Sequence, residues 1–161
     1  MECVDLVDEQ NQVVGRATRR EVRQQNLLHR GIAVLVRNSK GQVYVHKRTD
    51  HKDVFPSLFD MFVGGVVGEG ESYDEAARRE AEEELGVTAP LEFLFDHLYH
   101  GPKNYSWIRT YRVTWDGPIR HQPEEVAWGD WMDEARLPEW IREVEIVPDG
   151  LDVFQHYLEH A

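Results

Sequence analysis

Apolar residues along the chain fall into short runs divided by polar turns, and the period changes from strand-like to helical at a few places only. Residues 4–7 and the pair Val13 and Val14 flank a polar stretch at 8–12, which predicts two short strands around a turn. Thr18 stands where a cap belongs for a short helix over 20–26. Residues 31–37 (GIAVLVR) are a buried-strand pattern, and 42–47 (QVYVHK) alternate. The turn-forming NSKG between them predicts a hairpin. Residues 60–67 surround a glycine pair. Strand patterns recur at 91–100, 107–115 and 127–132, with GPKN at 101–104 between the first two. Helical spacing covers 72–85, 137–143 and 151–160. Strands mixed with a few helices predict an α/β layered domain with a mixed sheet. No repeat, low-complexity tract or linker interrupts the pattern, so residues 1–161 are expected to form one domain.

Composition narrows the function. Thirty acids against 18 Lys and Arg leave a net charge of −12, which disfavours a nucleic-acid partner, because tracking phosphates needs a basic surface. Acids held together can still engage a phosphorylated small molecule through divalent cations. No apolar run is long enough to span a bilayer, and the first ten residues carry acids where a signal peptide carries bases. A cytoplasmic protein with no membrane partner is the expectation. Cys3 is the one cysteine, so neither a cysteine metal cluster nor an internal disulfide is available, and its place at the chain's start argues against a nucleophile.

The chemistry concentrates in residues 65–87, GVVGEGESYDEAARREAEEELGV. Ser72 with Glu75 three residues on is a capping box, and Gly86 is a natural stop. At helical spacing Tyr73, Ala76, Ala77, Ala81 and Leu85 form one apolar stripe, while Glu75, Arg78 and Glu82 point away to solvent. Glu80, Glu83 and Glu84 share a face at the edge of that stripe or within it. They repel one another, and they crowd a helix C-terminus whose partial charge disfavours acids. A solvated acidic face is the simpler account of such a cluster alone. A local conflict of this kind also marks functional sites, and a bound divalent cation relieves it.

Gly65, Glu71, Arg79 with Glu80, Glu83 with Glu84, and Gly86 with Val87 stand at spacings that resemble the Nudix box in every fixed position. Ala81 is a mild departure, since a larger aliphatic residue is usual there. The resemblance implies the family's α/β/α sandwich with the box as loop–helix–loop, here preceded by an N-terminal β-hairpin extension over residues 1–29. It implies that Glu80, Glu83 and Glu84 ligate Mg2+ or Mn2+, with Glu80 first among them to activate water and the Gly65 carbonyl adding an oxygen. Glu71 would pair with Arg79 to hold the loop, and Gly86 would close the helix. The implied reaction is hydrolysis of a phosphoanhydride bond in a small-molecule diphosphate by water attack on phosphorus. A further base outside the box is common in the family, and Glu124 and Glu125 are the candidates, with an exposed acidic loop as the plainer reading. Arg48, at a strand end, is a candidate for a substrate phosphate.

The resemblance extends further. Residues 26–31 (NLLHRG), Lys47 with Arg48, 55–60 (FPSLFD) and the segment VDLVDEQNQVVGRATR are similar to the branch that includes isopentenyl-diphosphate isomerase, and resemble its uncharacterised bacterial hydrolases more than the isomerase. The isomerase's cysteine and metal-binding histidine are replaced by Gly64 and Val66, and His29 lacks that partner, so isomerisation ranks far below hydrolysis. A catalytically silent nucleotide-binding module is the other alternative, and no box acid is lost to favour it. Phe55, Phe59, Tyr99, Tyr105 and Trp107 are read either as core or as a surface for a nucleobase. Trp128, Trp131 and Trp140 mark either a homodimer interface or a C-terminal core cluster.

Overall fold

The computed structural model describes residues 2–52 and 54–160. The chain enters through a hairpin of β1 (Cys3–Val7) and β2 (Val13–Thr18). In its turn the Asp8 carboxylate accepts from the backbone N–H groups of Gln10 and Gln12 at 2.9 and 3.0 Å. Thr18 caps α1 (Arg19–Gln25) in a reciprocal pair with Glu21, and Asn26 ends it in the left-handed region. Four strands follow, β3 (His29–Arg37), β4 (Gln42–Arg48), β5 (Phe59–Asp60) and β6 (Phe62–Val66), and lead into α2 (Tyr73–Leu85). After it come β7 (Glu92–His100), β8 (Tyr105–Thr114), β9 (Val126–Asp133), α3 (Leu137–Trp140) and α4 (Pro148–His160).

β3 is the hub. It pairs antiparallel with β6, from Gly31 opposite Val66 to Leu35 opposite Phe62, and parallel with β8 from His29 opposite Ser106 to Arg37 opposite Thr114. β7 extends the sheet beyond β8. The expected β3–β4 hairpin is therefore only a corner: the two strands meet at Arg37 and Val43 and then splay apart. Both edges of β3 are already occupied, so β4 takes β9 and β5 as its partners instead. The result is a mixed sheet.

Alternation along β3 sorts the core into two layers. Ile32, Val34 and Val36 face α2, packing with Ala76, Ala77, Ala81 and Leu85. Ala33 and Leu35 face the other way, towards Leu137, Trp140, Val153, Phe154 and Tyr157 of α3 and α4. This is the α/β/α sandwich with an N-terminal hairpin that the sequence suggested. The helix expected over 137–143 is shorter, because Arg142 and Glu143 bond back three residues, to Glu139 and Trp140, and wind into tighter turns. α4 starts earlier than its apolar period suggested, since Pro148 suits a first helical turn. No helix among the described residues is long and apolar enough to cross a membrane.

Candidate active site

α2 is fastened at both ends by its own sequence. Ser72 Oγ accepts from the Glu75 N–H at 3.1 Å, and the Glu75 carboxylate accepts from the Ser72 N–H at 3.0 Å. Gly86, at φ 71°, turns the chain out of the helix while its N–H reaches the carbonyls of Ala81 and Glu82. The buried residues are Tyr73, Ala76, Ala77, Ala81 and Leu85, together with Glu84. Three alanines in that stripe let the helix lie close to the sheet. Closeness is visible at Gly65 in β6, where an added Cβ would sit 2.5 Å from Glu80 Cγ. Only glycine leaves room for the Glu80 side chain against this strand.

Arg79 ties the loop to the helix. Its Nε and Nη2 donate to the two oxygens of Glu71 at 2.8 and 3.0 Å, and Glu71 also accepts from the Gly68 N–H at 3.0 Å. Arginine beside it holds the Glu71 carboxyl below its usual range, with burial opposing. The same guanidinium donates from Nη1 to Glu80 at 2.7 Å and lies 3.6 Å from Glu83. It thus spans the loop pairing expected of it and two of the three clustered acids.

A cavity of about 420 Å³ opens over this helix, lined by Glu80, Glu83 and Glu84 and by Arg48, Lys52, Gly65 and Glu125. Glu84 is 7% exposed. Burial pushes its carboxyl well above the ordinary range, and the neighbouring Glu80 charge adds to the shift; Lys52 and Arg48 oppose it. Lys52 forms an ion pair with Glu125, and burial draws its ammonium down, helped by Arg48. Glu80, Glu83, Glu84 and Glu125 bring hard oxygen donors to this cavity, Glu84 being buried at a cost in charge, and this donor set fits Mg2+ or Mn2+. Arg48 spends Nε and Nη2 on the carbonyls of Phe55 and Val54 at 3.1 and 2.8 Å. Phe55 and Ser57 hold positive φ there, 51° and 64°, an uncommon conformation for such residues that Arg48 helps to fasten.

Of the paired candidates before β9, Glu125 lines the cavity while the Glu124 side chain is exposed, its carbonyl accepting from Thr49 Oγ1 at 2.9 Å. Among the five aromatic candidates only Phe55 lines the cavity; Phe59 and Tyr99 pack on the α4 layer. His29 is buried with Nδ1 2.9 Å from the Leu27 carbonyl, a backbone anchor. Gly64 and Val66 flank Gly65 in β6. Cys3 sits inside β1 opposite Thr18. Trp128 and Trp140 both stand edge-on to Phe59, Trp140 buried under α4 and Trp128 exposed, while Trp131 stands edge-on to Tyr44 in the α2 layer.

Lys52 was not foreseen, and nothing local marks it. Asp60 was not foreseen either, and an acid between Phe59 and Met61 in an apolar stretch was a signal. Asp60 is 6% exposed and lines the same cavity with Asp149. Its Oδ1 accepts from the Met61 and Phe62 N–H groups at 2.8 and 3.1 Å. Burial, then the Asp149 charge, raises its carboxyl from 3.8 to about 8.

Known proteins resemble this chain in sequence and fold. Residues 27–150 match the family described as NUDIX domain. A Streptomyces coelicolor protein named Uncharacterized Nudix hydrolase SCO1686 is 49% identical over 156 residues, 95% of this chain and 86% of the relative. The crystal structure of DR0079 from Deinococcus radiodurans superposes with a TM-score of 0.76 at 32% identity, covering 91% of this chain and 92% of that one. The NUDIX domain of Shewanella oneidensis NrtR, solved with ADP ribose, has a TM-score of 0.61 at 18% identity, covering 89% and 98%, a likeness of fold.

Proposed function

The chain belongs to the NUDIX family, hydrolases that act on phosphoanhydride bonds, and from that premise we propose an Mg2+- or Mn2+-dependent cleavage of a nucleoside diphosphate-linked small molecule. The observation that carries this reading is the meeting of Glu80, Glu83, Glu84 and Glu125 with Arg48 and Lys52 in one cavity. Glu80, Glu83 and Glu84 would hold the cation, with the Gly65 carbonyl as a further oxygen. When bound, such an ion withdraws charge from phosphoryl oxygens and makes water more acidic.

The remaining work falls to the protein's own groups. Arg79, fixed by Glu71, orients Glu80 and balances the acids until a cation takes over that role. Burial and the Glu80 charge disfavour the charged form of Glu84, and a cation held there would favour it. Lys52 and Arg48 supply positive charge on the facing wall, where a diphosphate brings negative charge. Lys52 also holds the Glu125 carboxylate at the cavity, leaving it placed to take a proton from the attacking water. The ADP ribose of the S. oneidensis domain is of the proposed class, a nucleoside diphosphate conjugate held by the same fold.

The test is incubation of nucleotides, nucleotide sugars, dinucleoside polyphosphates and isoprenoid diphosphates with and without Mg2+ or Mn2+, with the monophosphate products and any free phosphate identified by chromatography. Metal-dependent cleavage of one nucleotide class is the expected result and would identify the organic group. Turnover of isopentenyl diphosphate by proton exchange, with no hydrolysis anywhere, would overturn it.

A further inference from the structure

The outer face of α4 carries a cluster that the cavity does not use. Residues four apart on a helix stand one turn above another, so Asp152, His156 and His160 form a row with Glu159 beside its end. His156, Glu159 and His160 each offer a ligand atom, and these atoms lie within 4.8 Å of one another. The two imidazoles face each other with centroids 4.0 Å apart. His160 Nδ1 lies 3.0 Å from the His156 carbonyl oxygen. A carbonyl only accepts, so Nδ1 carries the hydrogen and Nε2 keeps its lone pair free. This is the usual preparation of a metal-binding histidine, whose other ring nitrogen donates to a fixed acceptor. The sheet supplies support from below. His97 of β7 holds Asp152 through Nε2 at 2.5 Å and stands 4.7 Å from the His156 ring, so the row is braced from the sheet.

We propose that His156, Glu159 and His160 form a second metal site, selective for a divalent transition ion such as Zn2+, Co2+ or Ni2+ over Mg2+, with water completing the coordination. Two imidazoles and one carboxylate suit these ions, whereas Mg2+ prefers oxygen donors alone. Tetrahedral zinc with ligands at about 2.0–2.1 Å needs donors about 3.3 Å apart. Half-exposed and exposed side chains on one helical turn reach that spacing by rotating about their own bonds, without opening the core. None of the three lines the cavity, so the site is independent of the hydrolytic reading. Its effect is to clasp the last turn of α4, where backbone carbonyls lack helical partners.

The experiment uses tag-free protein, with excess Mg2+ present to occupy the carboxylate cavity. Zn2+ binding is followed by calorimetry and Co2+ binding by visible absorption, in the wild type and in the His156→Gln, His160→Gln and Glu83→Gln variants. The wild type and Glu83→Gln are expected to take up one ion alike, while each histidine variant weakens binding by at least about tenfold. Zn2+ should raise the melting temperature of the wild type and not that of His160→Gln, with the metal-free melts of the two coinciding. Equal Zn2+ affinity in the wild type and both histidine variants would overturn the proposal. So would loss of the site in Glu83→Gln, which would assign the ion to the cavity.

Discussion

α2 and α4 are both thirteen residues long and cover opposite faces of one sheet. They bury different things. α4 presses Val153, Phe154 and Tyr157 into its layer, whereas α2 turns three alanines, Tyr73, Leu85 and a carboxylate inward. Large apolar side chains carry most of the gain from burial, and alanine carries little. α4 therefore gains more from burying its own side chains than α2 does. The α2 layer gives up that gain for closeness, which sets Glu80 against Gly65 and sinks Glu84 into the protein. Stability and chemistry have been placed on separate faces of the same sheet.

Substitutions can break that division or sharpen it. Phe154→Ala, at a fully buried site, should cost about 3–5 kcal/mol in urea unfolding and leave Mn2+ affinity unchanged; a parallel loss of affinity would mean the two faces are not separate. Glu83→Gln should do the reverse, lowering metal-dependent turnover by at least about a hundredfold with an unchanged urea midpoint. Near wild-type turnover would remove the cation assignment.

Asp60, whose Oδ1 lies 2.4 Å from where a Cβ on Gly150 of α4 would sit, ties the cavity to the stabilising face through pH. The folded protein keeps it protonated up to about 8, while the unfolded chain ionises it near 3.8. Its contribution is fully present below 3.8 and declines as pH rises towards 8. Asp60→Asn should flatten the fall in melting temperature across that window, and identical pH profiles for the two proteins would contradict the buried neutral acid. Glu82→Gln, on the exposed side of α2, should change stability by less than about 0.5 kcal/mol and leave turnover near wild type, as a control on the same helix.

How much of this was legible in the sequence follows from the range over which each feature is decided. The cap at Ser72, the alanine stripe and the stop at Gly86 depend on neighbours a few positions away, so α2 and its clustered acids were readable in full. The splaying of β3 from β4 was not, because it depends on β6 and β8 occupying the two edges of β3. The same holds for Lys52, whose partner Glu125 arrives from far along the chain. Choosing Glu125 over Glu124 needed the direction of the segment before β9, which no local pattern sets. Residues such as Phe59 and Tyr99 read more readily as core than as ligand surface, and the layers place both in the core beside α4.

The parallel pairing of β3 with β8 also sets an order of assembly. Residue 29 must find residue 106 before the central strand has both its neighbours, and contacts so distant in sequence are slow to form. As the chain is synthesised, the helix bearing Glu80, Glu83 and Glu84 is complete before β8 exists, whereas Glu125 and Asp149 come after it. Three of the acids that make the site costly are therefore made before the parallel neighbour of the central strand that frames them.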